Sequence, residues 1–75
     1  MNEEIETAIR KIRSSIEVWE IANINDNIYS EKTQLAKDLE FQMTMLKLLI
    51  GVDKFSELNY FSRILKQVSE YLDST

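Results

Sequence analysis

The stretch from Ser30 to Gly51, SEKTQLAKDLEFQMTMLKLLIG, decides the fold. Leu35, Leu39, Met43, Leu46 and Ile50 recur at steps of four, four, three and four, with Ala36 beside them. That is the period of one face of an α-helix and not the alternation of a strand. Ser30 is expected to be the N-cap, and Glu31 falls in the first turn, where the helix dipole favours negative charge. Gly51 stands where a helix ends in a left-handed residue, a conformation open to glycine without a Cβ penalty. A second apolar line runs through the same stretch. At about 100° per residue, Phe41, Met45 and Leu48 point roughly opposite Leu39. A helix that is apolar on two sides is buried between neighbours or buried by a partner.

Working outward, two more segments carry helical spacing. Upstream, Ile5, Ile9, Ile12, Ile16 and Trp19 step four, three, four and three, with Ala8 widening the stripe. Asn2 is the expected cap, followed by Glu3, Glu4 and Glu6 in the first turn. Asn23-Ile24-Asn25-Asp26-Asn27 supplies turn-forming side chains that compete with helical backbone bonds. Downstream, Leu58, Phe61, Leu65, Val68 and Leu72 form the third stripe, with Asp53 or Ser56 as cap and Phe55 and Tyr60 as a hydrophobic staple. Ser62 and Ser69 flank that stripe and are small enough to admit a neighbouring helix. The expected fold is therefore all-α: three antiparallel helices over about 2–22, 30–50 and 54–72, forming one small bundle over residues 1–75. Ile12, Leu39 and Leu65 sit on its three primary stripes.

With 75 residues, no Pro and a single Gly, helices run long but the core is small. Domains of this size commonly gain stability from disulfides, metals or a partner subunit. The chain has no Cys and no His, which removes disulfides, thiolate metal sites, the commonest metal ligand and the commonest general base. Association with another chain is the prop that remains.

No motif names an activity. One glycine cannot build a phosphate-binding loop. Ser62 with Lys66 reads as two residues one turn apart on a helix surface, not as a catalytic dyad. Asn25-Asp26-Asn27 lacks the Gly and bidentate Glu of a calcium loop. Glu31, Asp38 and Glu40 do not share one helix face. The net charge of −4 disfavours non-specific nucleic-acid binding and a basic membrane-surface helix. A recognition-helix reading of the third segment would place Glu57 against phosphate. No cofactor, metal or small-molecule substrate is expected. Arg10, Lys11 and Arg13 form the densest basic cluster, balanced by Glu6 and Glu17.

The surplus apolar residues carry the functional expectation. Phe41, Met45 and Leu48 lie off the primary stripe of the second segment. Tyr60, Ile64 and Tyr71 lie to one side of the third, and Val18 and Ile21 fall behind the first. Tyr, Phe and Met are enriched at protein interfaces. Phe41, Met45, Leu48, Tyr60, Ile64 and Tyr71 are thus the expected protein interface of a non-enzymatic interaction module, a self-associating homodimer. The alternative is a dedicated binder of another protein, such as a small secretion chaperone, an immunity or antitoxin-like neutraliser, or a phage regulator. A small DNA-binding regulator is a third reading, disfavoured by the charge. The acidic start lacks the pattern of a signal peptide, and the longest apolar run is Leu48-Leu49-Ile50, so a cytoplasmic protein is expected. Its richness in Ile, Asn, Lys and Glu suggests a bacterial or phage gene. The far-UV circular dichroism spectrum should be dominated by helix, and substantial sheet signal would contradict the fold assignment.

Overall fold

The computed structural model describes residues 3–24 and 29–74. They form four helices: α1 (Glu3–Ile24), α2 (Tyr29–Ile50), α3 (Val52–Glu57) and α4 (Asn59–Asp73). Among the described residues there is no strand, and no helix is long and apolar enough to cross a membrane. α2 is the central element. α1 packs along one flank of it and α4 along another. The amide nitrogen of Gln42 donates to the Ser15 hydroxyl at 3.2 Å between α2 and α1. Thr33 pairs with the Tyr71 hydroxyl at 2.9 Å, and Ser69 donates to Glu40 at 3.0 Å. Numbers that rise along α2 while falling along α4 make that pair antiparallel. Ser69 is thus a small residue at the α2/α4 seam, as its place beside the third stripe suggests.

The core contains Ile12, Ile16 and Trp19 from α1, Ala36, Leu39, Met43 and Leu46 from α2, Phe55 from α3, and Phe61, Ile64 and Val68 from α4. Ile5, Ile9, Leu35, Ile50, Leu58, Leu65, Tyr71 and Leu72 pack around it half-buried. The first two stripes are therefore in phase with the interior. In α4 the phase differs: the buried line is Phe61, Ile64 and Val68, while Leu65 lies on its edge. Ile64, expected at an interface, is core.

The third expected helix is two helices. Phe55 and Phe61 are six residues apart, about 240° around a straight helix, so one uninterrupted helix cannot aim both at one core. The break at Leu58 (φ −85°, ψ 73°) resolves the conflict, and both rings are buried. The Leu58 amide donates to the Phe55 carbonyl at 3.0 Å, closing α3, and the Leu58 carbonyl accepts from the Ser62 amide at 3.0 Å, opening α4. The Ser62 hydroxyl reaches back to the Phe55 carbonyl at 3.4 Å. Ser56 is not the cap of a long helix: its hydroxyl donates to the Val52 carbonyl from within α3. Asp53 likewise lies inside α3. The staple also fails, because Phe55 is buried while Tyr60 is exposed.

The other ends shift by a residue or two, as helix termini commonly do. α1 continues through Ile24, and α2 starts at Tyr29, one residue before the expected cap at Ser30. The expected cap at Asn2 and the turn at Asn25-Asp26-Asn27 lie outside the described residues. Gly51 does have positive φ, with φ 94° and ψ 151°. This is an extended, glycine-only region rather than the left-handed helical well of the expected cap. Its amide still closes α2 on the Lys47 carbonyl at 2.9 Å.

Burial predicts the order of core substitutions. Ile12→Ala and Leu39→Ala should each cost about 2–5 kcal/mol in urea unfolding. Ile64→Ala should cost more than Leu65→Ala, and the reverse order would contradict the α4 phase described here.

Candidate protein-binding face

Antiparallel packing leaves a long seam between α1 and α2 on the side away from α4. Ala8, Lys11, Ser14 and Ser15 of α1 and Phe41, Met45 and Leu49 of α2 line a groove there, with Ile12 and Leu46 beneath. The small side chains on α1 make the depression, since Ala8 and the two serines leave room that a larger residue would fill. Phe41, Met45 and Leu48 point out to solvent because the core face of α2 lies on the other side of the helix. Phe41 is 65% exposed and Leu48 74%. Val18, Ile21, Leu49 and Val52 are also about half exposed or more. Among the described residues, Arg10 and Lys11 are the charged side chains that border the groove.

The six residues expected at an interface divide into three groups. Phe41, Met45 and Leu48 stand together on the outer surface of α2. Tyr60 is exposed elsewhere, beside a separate depression between α1 and α4 lined by Glu6, Ile9, Arg10, Arg13, Leu58 and Phe61. Its ring carries the Arg63 guanidinium at 5.7 Å. Ile64 and Tyr71 belong to the inside of the chain. Ile64 is 3% exposed. Tyr71 is half-buried, with its ring edge-on to Trp19 at 6.2 Å, its hydroxyl on Thr33 and the Lys32 ammonium 4.7 Å from the ring centroid. These contacts join α1, α2 and α4 at one end of the bundle. Trp19 Nε1 is buried with no hydrogen-bond partner among the described residues, so the ring is held there by packing.

Leu49 lines the groove although it does not fall on the opposing line Phe41, Met45, Leu48, and Val52 is exposed at the start of α3. The signal for Leu49 was the run Leu48-Leu49-Ile50, where three consecutive apolar residues span too wide an arc for one buried face. Val52 carried no comparable signal, because it follows Gly51 and belongs to the next helix. Among the described residues no group of three His, Cys, Asp or Glu side chains gathers to hold a metal ion. The chain matches no protein-family model, no curated protein and no solved structure.

The division between binding face and internal contact is testable at Tyr71. Tyr71→Phe keeps the ring against Trp19 and removes the hydroxyl from Thr33. It should lower stability by about 0.5–1.5 kcal/mol in chemical unfolding and leave the association state by light scattering unchanged. A change of association state would place Tyr71 in the binding face.

Proposed function

We propose that this chain is a non-enzymatic protein–protein interaction module that works through the α1/α2 face. The observation that carries the reading is the cluster Phe41, Met45, Leu48 and Leu49, exposed on the helix whose other side already forms the core. Exposed apolar patches on monomers seldom exceed roughly 300–600 Å² and are often functional. Here eight large apolar side chains, Val18, Ile21, Ile24, Phe41, Met45, Leu48, Leu49 and Val52, are each about half exposed or more.

A covering chain removes apolar area from water at about 25 cal/mol per Å² before the cost of association. Phe41 supplies the aromatic anchor typical of interface centres, and the groove beside Ser14 and Ser15 supplies a slot for a partner side chain.

Replacing Met45 and Leu48 together with Glu tests the reading. The parent should either sediment above monomer mass or, as a monomer, bind an apolar dye. The double variant should do neither and should keep its helical circular dichroism. Loss of helix in the variant, at a concentration where the parent is monomeric, would assign these residues to the internal core and defeat the proposal.

A further inference from the structure

We infer that the joint between α3 and α4 is a two-state latch: Phe55 seated in the core holds the chain bent at Leu58, and withdrawal of Phe55 joins residues 54–73 into one helix. This is a property of the chain's own conformations and goes beyond the binding-face reading, whatever partner that face takes.

Local sequence does not call for the bend. Residues 52–59, Val-Asp-Lys-Phe-Ser-Glu-Leu-Asn, contain no Pro and no Gly, the residues that most strongly break a helix. Capping does not hold the bend either, since no side chain caps the start of α3 or of α4. The backbone bonds that span the joint are a short turn from the Leu58 amide to the Phe55 carbonyl and the opening bond of α4 from the Ser62 amide to the Leu58 carbonyl, each 3.0 Å.

A continuous helix bonds the same segment more fully. With Asp53 as N-cap, a helix over 54–73 carries the amides of Leu58, Asn59, Tyr60 and Phe61 to the carbonyls of Lys54, Phe55, Ser56 and Glu57. The Asp53 carboxylate accepts from one further amide of the first turn. In exchange the chain gives up the opening turn of α3, with its bond from the Phe55 amide to the Gly51 carbonyl, and the turn from Leu58 to Phe55. Residues 51–53 become the connection to α2, a length common between antiparallel helices. Backbone bonding and capping thus favour the straight form.

Burial favours the bent one. Phe55 and Phe61 are both buried, and on a straight helix they stand about 240° apart, so one ring has to leave. Phe61 shares the buried line of α4 with Ile64 and Val68, which leaves Phe55 as the ring that moves. It is carried by a helix of six residues and lies beside α2, with the Lys47 ammonium 6.0 Å from its centroid. Burial of one aromatic ring and a few backbone bonds at a partly exposed joint are of the same order. Phe55 therefore sets the balance. Opening the latch bares that end of the core and places the Phe55 ring in water.

Two substitutions in the full chain test this. Phe55→Ala removes the ring that favours the bend. Asn59→Pro favours the bend, because residue 59 opens α4, where Pro is tolerated, and Leu58 already lies outside the helical region that a following Pro disfavours. In the parent, the Leu58 Cα chemical shift should be non-helical and the amides of Asn59 and Tyr60 should exchange readily. In Phe55→Ala the shift should become helical, and exchange at those amides should slow by about 10-fold or more. Asn59→Pro should leave the thermal midpoint of the parent unchanged or raise it. In the Phe55→Ala background it should lower the midpoint by roughly 10–20 °C, because Pro then falls inside a helix. Where Phe55→Ala does not fold in plain buffer, the same spectra are recorded in trimethylamine N-oxide, which favours compact states.

A folded Phe55→Ala chain with Leu58 still non-helical overturns the latch and assigns the bend to residues 52–59 themselves. So does an Asn59→Pro effect that is the same with and without the Phe55 ring. A Phe55→Ala chain that stays unfolded even in the osmolyte overturns it as well, since the straight form then has no folded state. A large loss of stability from Asn59→Pro in the parent overturns the bend as the resting form.

Discussion

The inner face of α2, formed by Ala36, Leu39, Met43 and Leu46, is the wall on which the whole chain is built. All four side chains are essentially removed from solvent, and both α1 and α4 pack against this one helix. With no disulfide to hold the helices together, burial on that wall is the main source of cohesion. Each large side chain buried there contributes about 1.5–3 kcal/mol relative to exposure. The polar contacts at its margins, Ser15 with Gln42 and Ser69 with Glu40, are worth less each. Their role is to fix how far each outer helix has slid along the wall.

The same constraint explains the exposed apolar face of α2. α2 has a full circumference, and its two packed neighbours and α3 cover only part of it. What remains holds Phe41, Met45 and Leu48. Those three residues were legible in the sequence because a long, uninterrupted helix keeps its phase, so an apolar line opposite Leu39 has to point away from the core. Ile64 is buried and Tyr71 half-buried within α4 itself, where Ile64 stands about 60° from Phe61 and about 40° from Val68, so the buried arc takes it in although it lies about 100° from Leu65. The break at Leu58 was hidden for another reason. No Pro or Gly marks that break. It arises from the demand of Phe55 and Phe61 to reach one core, a tertiary requirement that local propensity does not record. The three regions of helix and most of the core were readable from period alone, whereas the α3/α4 division was not. Tyr60 was readable as exposed, but the sequence could not show that it stands apart from the α2 cluster.

Tyr71 and Trp19 illustrate a different division of labour. An aromatic residue off a primary stripe, such as Tyr71, suggests contact with a partner chain, but here it joins Trp19 of the first stripe in stitching three helices of one chain together. The signal separating them from Phe41 is chemical. Tyr71 has a hydroxyl with an internal acceptor or donor in Thr33, and its ring meets Trp19 edge-on. Phe41 has no polar atom and stands exposed beside the α1/α2 groove. An amphipathic side chain can settle at the edge of a small core, while a wholly apolar one in the same position leaves area in water.

The central position of α2 also bears on the order in which the chain becomes structured during synthesis. Helix contacts here join neighbours in sequence, α1 with α2 and then α2 with α4, so the topology is local and favours rapid folding. The nascent chain presents α1 and α2 first, and these can pair as a hairpin before α4 emerges. Until then the flank of α2 that α4 will cover is bare, and so is the outer line through Phe41. For that interval both sides of the hairpin are apolar, and the emergence of α4 closes one of them. The ribosome-bound intermediate is thus stickier than the finished chain.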